Sequence, residues 1–212
     1  MVSCLVLVSK ANIELLLQKS KILKLLIIDN YDSFTYNLVQ LVEQAGIADY
    51  IIVKNDKLDK VNHDDFNRVL ISPGPGIAKE AGHLLWFINQ YYKTKPILGI
   101  CLGNEAIAEA FGAKLICMEK PLHGIKNKAT ILVHDKIFSG LPHVFNIGHY
   151  HSWNVDESTL PKEFDVILKD ENHLNMAIRH TEYNLVGLQF HPESIMTDYG
   201  LEIIKNWLFV ST

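Results

Sequence analysis

The 212-residue sequence predicts an α/β fold: an open, mostly parallel, twisted sheet with helices on both faces and an antiparallel C-terminal extension. Short apolar runs without polar interruptions are typical of strands that are covered on both faces. These runs alternate with helical patterns from Lys24 to about Phe111, which predicts right-handed βαβ units. Beyond Gly112 the strand-like runs are separated by turns alone, which indicates an antiparallel extension.

The alternating part starts with the apolar run KLLIID, and Asp32 or Ser33 is a candidate N-cap for the helix that follows it. Ligands of such sheets bind beyond the carboxyl ends of the strands, where Asp29, Ser72 and Cys101 are expected. The predicted strands are residues 24–29, 50–53, 68–72 and 96–100, with one helix after the first strand, another over 80–92 and a third after Cys101.

The extension and the chain ends complete the predicted organisation. One domain is expected over residues 23–212, preceded by an N-terminal extension of unknown role at residues 1–22. The apolar stretch in that extension is too short to span a bilayer, and no signal-peptide cleavage site follows it. The later predicted strands are residues 114–117, 129–133, 166–169, 176–180 and 185–190, and the closing helix is residues 198–209.

Composition narrows the class of protein. A hydrophobic fraction of 48% with 21% charged residues is ordinary for a globular domain, and a net charge of -4 gives no reason to expect nucleic acid or a membrane as a partner. Three cysteines, Cys4, Cys101 and Cys117, are too few for a disulfide framework. A reducing, cytoplasmic location is therefore expected.

Cys101 stands between Gly99 and Gly103, where an apolar run ends and a helical pattern begins. A strand, a tight turn and a helix would place one thiol at the apex, as in the nucleophile elbow of serine hydrolases. The helix dipole is expected to favour the thiolate. The alternative is a buried and inert cysteine, which this stretch alone does not exclude.

A cysteine nucleophile needs a base, and the base needs a group that orients it. His191 follows a predicted buried strand, and Pro192 turns the chain so that Glu193 can reach back to the imidazole. The alternative is a turn with a surface histidine and glutamate. The presence of Cys101 and this histidine at two strand ends of one sheet favours catalysis.

Acyl transfer also needs donors for a developing oxyanion. In the loop from Ser72 to Gly76 only the glycines offer free amides after the strand, and the two prolines stiffen the loop. An ordinary turn is the alternative. We expect the Gly74 amide to be one donor and the Leu102 amide, directly after the nucleophile, to be the other.

His149 and His151 could share one face of a strand, which is a pattern that metal sites use. No third ligand with suitable spacing accompanies them, so we expect no metal site here.

Taken together, the motifs resemble those of the class I, triad-type glutamine amidotransferases over about residues 24 to 210. Within that family, two further motifs are similar to the branch that serves chorismate-using enzymes, the small subunits of anthranilate synthase and aminodeoxychorismate synthase. The family motifs are Gly99-Ile-Cys101-Leu-Gly103, Ser72-Pro-Gly-Pro-Gly76 and His191-Pro-Glu193-Ser194, and the branch motifs are Asp29-Asn-Tyr-Asp-Ser-Phe-Thr-Tyr-Asn37 and His123-Gly124.

The resemblance implies a flavodoxin-like sheet and a glutaminase half-reaction. Cys101 would attack the side-chain amide carbon of L-glutamine and form a thioester. His191 would transfer the proton to the departing ammonia, with Glu193 orienting it, while the amides of Gly74 and Leu102 hold the oxyanion. Ammonia would then pass to a chorismate-binding synthase large subunit. No cofactor is implied in this chain, and Mg²⁺ is expected only in the partner subunit.

Further residues are implied to hold the glutamine, and the sequence departs from the family at some of them. The family usually reads His-Gln where this chain has Asn104-Glu105, arginine is common in place of His149, and lysine in place of Ile125. An ionised Glu105 would disfavour the substrate's carboxylate. By motif position the substrate-binding residues are Gly74, Gly76, Glu105 and the backbone of Ser152 and Trp153.

Two other functions compete with this interpretation. A non-catalytic regulatory or binding subunit would result if Glu105 impaired the glutamine site. A cysteine hydrolase or peptidase on a related fold is the other, although nothing beyond the triad suggests a peptide groove. A glutaminase assay with the partner present separates the first alternative from an active subunit.

Overall fold

The computed structural model describes residues 23–209, so the predicted extension at residues 1–22 lies outside the described part of the chain. None of the helices within residues 23–209 is long and apolar enough to cross a membrane. The elements, in chain order, are β1 (Leu25–Asp29), α1 (Thr35–Gln44), β2 (Tyr50–Lys54), β3 (Arg68–Ile71), α2 (Leu84–Tyr91), β4 (Ile97–Ile100), α3 (Leu102–Ala110), β5 (Leu115–Ile131), β6 (Val144–Val155), β7 (Phe164–Asp170), β8 (Asn175–His180), β9 (Leu185–Leu188) and α4 (Gly200–Phe209).

The strands form one sheet in the order β2-β1-β3-β4-β9-β8-β7-β5-β6. The first five strands in this order are parallel, and the remaining four pair in antiparallel fashion. The predicted fold class is therefore confirmed. One assignment within it was wrong, because β9 belongs to the parallel part and pairs with β4. Its carboxyl end consequently lies beside the carboxyl end of β4.

Helices cover both faces of the parallel strands, as predicted. Alternate residues of β1 face opposite sides, with Leu25 and Ile27 packed in one core and Leu26 and Ile28 in the other. The first core contains the apolar faces of α1 and α4, and the second contains those of α2 and α3. Because β1 is buried on both faces, its apolar run lacks the alternation of a half-exposed strand.

Three predicted boundaries in the chain differ from the structure. The helix predicted over 80–92 begins only at Leu84, because a short 3-10 turn at Ala78–Glu80 and a positive φ of 55° at Gly82 precede it. The separate strands predicted at 114–117 and 129–133 are parts of the single long strand β5. The closing helix starts at Gly200, after Tyr199 with a φ of 61°.

The sequence does not predict strand β6 as an element, although His149 and His151 suggest one face of a strand. Its sequence mixes buried histidines and asparagines with apolar residues, so it shows neither an apolar run nor a clean alternation. Pairing with β5 places Phe145 and Ile147 in the first core and Val155 in the second. The two ends of β6 therefore contribute side chains to different cores.

Candidate active site

Cys101 occupies a strained turn between β4 and α3. Its φ of 51° and ψ of -103° are unusual for a residue with a side chain, and strain of this kind clusters at functional sites. The turn is tight enough that a methyl group on Gly99 would lie 2.4 Å from the carbonyl of Gly103. The Cys101 amide donates to the Leu188 carbonyl of β9 at 2.7 Å, which fixes the turn to the neighbouring strand. The predicted elbow is thus present.

The electrostatic surroundings of the thiol differ from the expectation. Burial raises the pKa of Cys101 well above its ordinary value, and the charges of Glu105, Glu193 and Asp32 raise it further. The hydrogen bond from the Leu102 amide lowers the pKa, as the helix N-terminus was expected to do. The helix N-terminus thus acts in the expected direction, but desolvation outweighs that single donor and the net pKa of the thiol is raised.

His191 and Glu193 form the pair that the sequence suggested. The imidazole Nδ1 lies 2.7 Å from Oε1 of Glu193, whose side chain is fully buried. The other ring nitrogen, Nε2, is buried and has no hydrogen-bond partner among the described residues. Since Nδ1 faces the carboxylate, Nε2 is the atom left to exchange a proton with a nucleophile.

Two aromatic side chains pack against the His191 ring, and neither was predicted as a site residue. The ring centroids of Phe34 and Tyr150 lie 5.4 Å and 5.0 Å from that of His191, both in edge-to-face geometry. The Tyr150 hydroxyl lies 3.1 Å from Oγ of Ser194, and the His191 amide donates to the Gly148 carbonyl. The loop after β9 is therefore tied to β6.

The Gly74 loop lies directly against the N-terminus of α3. A methyl group on Gly74 would lie 2.4 Å from Cδ2 of Leu102 and 2.6 Å from Cβ of Asn30. Such contact brings together the two residues whose amides were predicted as oxyanion donors. Only glycine fits here, since a side chain would push the loop away from α3.

Asn30 anchors this loop, which gives the branch motif after β1 a structural role. Its amide nitrogen donates to Oγ of Ser72 at 2.9 Å, and its side-chain Nδ2 donates to the Ser72 carbonyl at 2.7 Å. Asn55 in turn donates to Oδ1 of Asn30 at 3.0 Å. The signal available in the sequence was an asparagine directly after an apolar strand.

Glu105 lies in the first turn of α3 and is almost completely buried. Burial raises its pKa to about 8, although the hydrogen bond from Gln189 lowers it and the charge of Glu109 raises it. At neutral pH the carboxyl group is therefore protonated, and it brings little negative charge to the site. This weakens the objection that an ionised Glu105 would repel the substrate.

Gln189 links the first turn of α3 to the nucleophile. Its Nε2 lies 2.9 Å from Oε1 of Glu105 and 3.9 Å from Sγ of Cys101, while its Oε1 accepts from Nδ2 of Asn104 at 2.8 Å. No role had been assigned to Gln189. Its position two residues before His191, on the same side of an extended chain, was the available signal.

Of the other predicted substrate-binding residues, Ser152 and Trp153 lie on β6 and Gly76 lies in the exposed part of its loop. The β5–β6 ladder is interrupted at Ser152, because Leu122 pairs with His151 and Cys117 with Trp153. Ser152 Oγ is 3.1 Å from Nε2 of His123. The backbone of Ser152 thus lies where the ladder is irregular.

His149 and His151 are buried neighbours on β6, with His149 Nδ1 3.0 Å from His151 Nε2. His151 Nδ1 lies 2.8 Å from the Trp153 carbonyl, and His149 Nε2 lies 4.0 Å from Oδ2 of Asp170. Burial lowers the pKa of both rings, that of His151 to about 4. Across residues 23–209, no group of three or more His, Cys, Asp or Glu side chains could hold a metal ion.

Fold and site together place a buried cysteine, a histidine–glutamate pair and a glycine loop at the carboxyl edge of a doubly wound sheet. The sequence profile of the family "Glutamine amidotransferase class-I" matches residues 26–210. The chain belongs to this family, and the resemblance that the motifs predicted is confirmed.

Named relatives cover nearly the whole described chain. It is 41% identical over 188 residues to aminodeoxychorismate synthase component 2 of Escherichia coli, covering 87% of this chain and 98% of that protein. It is 40% identical over 188 residues to aminodeoxychorismate/anthranilate synthase component 2 of Bacillus subtilis, covering 87% and 95%. A crystal structure of a glutamine amidotransferase from Thermotoga maritima matches with a TM-score of 0.65 and 19% identity, over 81% of this chain and 76% of that one, which supports the fold alone.

Proposed function

We propose that this chain is a glutamine amidotransferase subunit that hydrolyses L-glutamine through a thioester on Cys101 and passes the ammonia to a chorismate-using synthase subunit. The observation that carries the proposal is the position of Cys101 and His191 at the carboxyl ends of the adjacent parallel strands β4 and β9. The relatives named above work in aminodeoxychorismate or anthranilate synthesis, so the product belongs to folate or tryptophan biosynthesis.

The first half-reaction forms the thioester. The sulfur of Cys101 attacks the side-chain amide carbon of glutamine, and the amides of Gly74 and Leu102 hold the oxyanion that develops. His191 Nε2 takes the thiol proton and delivers it to the departing ammonia. His191 Nε2 has no hydrogen-bond partner among the described residues, so the thiol must approach it before this transfer.

The second half-reaction restores the enzyme. Water gives a proton to His191 Nε2 and attacks the thioester carbon. The C–S bond then breaks, glutamate is released, and the proton passes from Nε2 to the sulfur of Cys101. Glu193 holds the imidazole by its Nδ1 hydrogen bond throughout. None of these steps uses a cofactor in this chain, and Mg²⁺ is proposed only for the partner.

The partner is proposed to cover the carboxyl edge of the sheet. Ammonia that escapes into water is protonated and loses its nucleophilicity, so the acceptor subunit must enclose the site. Exposed apolar side chains are present at this edge, where Ile195 is 98% exposed, Tyr36 is 66% exposed and Tyr31 is 57% exposed. Apolar groups of this kind are suited to burial against a protein. A cytoplasmic location fits a subunit that works with such an enzyme.

The test compares two nitrogen sources in the complex of the full chain with the synthase subunit. Cys101→Ser should abolish product formation from glutamine and leave product formation from ammonium salts intact. Cys117→Ser, which changes an exposed cysteine, is the matched control and should leave both activities unchanged. Loss of both activities in Cys101→Ser would contradict the proposal.

The same assay tests the non-catalytic alternative. If the complex of the unmodified chain forms product from ammonium salts but none at any glutamine concentration, the chain is a binding or regulatory subunit. The neutral state of Glu105 at pH 7 favours an active site instead.

A further inference from the structure

Gln189 is a side chain that lies within hydrogen-bonding reach of the Cys101 sulfur. Its Nε2 is 3.9 Å from Sγ of Cys101, and the side chain is completely buried. An amide N–H is a donor, and a donor stabilises a thiolate more than a thiol. Gln189 therefore makes a contact that strengthens as Cys101 becomes reactive.

Two residues in the first turn of α3 fix the orientation of this amide. Asn104 donates through Nδ2 to Oε1 of Gln189, so the oxygen of Gln189 faces Asn104. The nitrogen consequently faces the other way, toward Oε1 of Glu105 and the sulfur. The backbone amide of Gln189 donates to the Met176 carbonyl of β8, which holds the residue at the end of β9. The side-chain amide of Gln189 is therefore held in place by Asn104, by Glu105 and by the backbone hydrogen bond to Met176.

We propose that Gln189 is a positioning residue for Cys101, whose side-chain amide, oriented by Asn104 and Glu105, donates to the sulfur and directs it within the site. This rests on the proposed function in one respect, since it describes how the same nucleophile is prepared. The role concerns the thiol itself, however, and is measurable without glutamine.

The charges around the thiol make such a donor important. Glu193 from the loop after β9 and Asp32 from the loop after β1 oppose ionisation of Cys101, and Glu105 from α3 does so once it ionises above about pH 8. The Leu102 amide acts in the opposite direction. Gln189 adds a second donor, and its neutral amide brings no further charge to the site.

The experiment measures the apparent pKa of Cys101 from the pH dependence of its alkylation by iodoacetamide. The full chain is used with Cys4→Ser and Cys117→Ser, so that Cys101 is the only thiol. Gln189→Met keeps the size of the side chain and removes the donor, which should raise the apparent pKa by about one unit. Gln90→Met, at an exposed position on α2, is the matched control and should leave it unchanged.

A double variant separates positioning from support of the fold. In Gln189→Glu with Glu105→Gln, Asn104 can still donate to residue 189, and residue 105 becomes the donor to its second oxygen. The buried network is then complete, but the sulfur faces an acceptor. The proposal predicts that the double variant retains its folding stability but has a higher apparent pKa of Cys101 than the chain with Gln189 and Glu105. If Gln189→Met does not fold, the double variant alone tests the proposal.

Two results would overturn the proposal: an unshifted apparent pKa of Cys101 in a folded Gln189→Met, or an apparent pKa in the double variant that is no higher than in the chain that retains Gln189 and Glu105. Turnover of glutamine by the complex is measured separately, and Gln189→Met should lower kcat more than it raises KM. If the unmodified complex uses no glutamine but the pKa shifts as expected, the proposed function fails and the positioning role stands. If it uses glutamine and the pKa does not shift, only the positioning role is wrong.

Discussion

Oε1 of Glu193 lies 2.7 Å from Nδ1 of His191, and the glutamate side chain is fully buried. The carboxylate selects the tautomer with a proton on Nδ1 and leaves Nε2 as the acceptor. A neutral amide at this position can present either a donor or an acceptor to the ring, so it no longer selects that tautomer.

Glu193→Gln is therefore expected to lower kcat for glutamine-dependent product formation by about 10²- to 10⁴-fold, which is the usual share of general acid–base catalysis. The measurement is steady-state kinetics of the complex with glutamine and, in parallel, with ammonium salts. The rate with ammonium salts should equal that of the unmodified complex. Glu202→Gln, at an exposed position on α4, serves as the control. A loss smaller than about tenfold would contradict the assigned role.

Replacement of Gly74 tests the oxyanion loop. Gly74→Ala places a methyl group 2.4 Å from Cδ2 of Leu102, so the loop must move away from α3. Loss of one oxyanion donor typically costs about 10²- to 10³-fold in kcat. Kinetics of the complex with glutamine should show this loss with a smaller change in KM.

The control for Gly74→Ala is Gly140→Ala, because no atom lies within 4 Å of a methyl group at that position. It should leave kcat unchanged, although its φ of 79° makes alanine slightly destabilising there. Equal activity of the two variants would show that the Gly74 loop does not supply a donor.

Ionisation of Glu105 should make folding stability depend on pH. The unfolded chain loses this proton near the ordinary pKa of 4.5, whereas the folded chain keeps it up to about pH 8. Between these values the unfolded state binds fewer protons, so this group lowers the free energy of unfolding as the pH rises. Relative to Glu105→Gln, the chain should lose up to about 1.4 kcal/mol per pH unit in this window.

Urea titrations of the two proteins across the window measure this difference. The gap in the free energy of unfolding should widen from acid to alkaline pH and stay constant above about pH 8. A gap that does not change with pH would mean that Glu105 is ionised in the folded protein. In the complex, the same ionisation should raise KM for glutamine above about pH 8, and Glu105→Gln should remove that rise.

The buried histidine pair should show one defined tautomer. The Trp153 carbonyl can only accept, so His151 carries its proton on Nδ1 and accepts from Nδ1 of His149 through Nε2. Nitrogen NMR of labelled protein should find both rings neutral with the proton on Nδ1 at pH 7. A proton on Nε2 of His151 would contradict this arrangement.

Acid should destabilise the chain through the same pair. The pKa of His151 falls from the ordinary 6.5 to about 4 because of burial, so the unfolded state binds the proton first. Stability contributed by the neutral ring is complete above about pH 6.5 and is lost as the pH falls toward 4. The histidine NMR signal of His151 should accordingly not titrate until the pH approaches 4.

The proposed docking edge is tested at its most exposed apolar residue. Ile195 is 98% exposed, so Ile195→Asp should not affect folding of the isolated chain. Burying the new charge against the synthase should raise the Kd of the complex by at least about tenfold, as at other interface hot spots. Leu132→Asp, at a half-exposed position after β5, is the control, and equal binding of both variants would place the interface elsewhere.

The sequence predicted the parts of this molecule that depend on local signals. Apolar runs and turn residues identified the parallel strands, the elbow at Cys101 and the turn that returns Glu193 to His191. The parallel position of β9 depends on which strand it joins, and no local pattern encodes that. β6 was not predicted because its polar groups find partners far away in the sequence. Asn146 donates to Asp198, and the backbone N–H of Gly148 donates to Thr197.

Electrostatic properties were the least predictable part of the site. Depth of burial decides the raised pKa of Cys101 and of Glu105, and burial is known only once the chain has folded. The contact between Gln189 and Cys101 likewise joins residues far apart in sequence. Side-chain types at the strand ends indicated the chemistry, but their packing sets its energetics.

The most direct test of the account is to identify the residue that carries the acyl group. The complex is incubated with labelled glutamine, quenched in acid and digested, and the peptides are analysed by mass spectrometry. The account predicts a γ-glutamyl thioester on the peptide that contains Cys101, absent in Cys101→Ser. Turnover of glutamine with label on Cys117, or turnover that persists in Cys101→Ser, would contradict it.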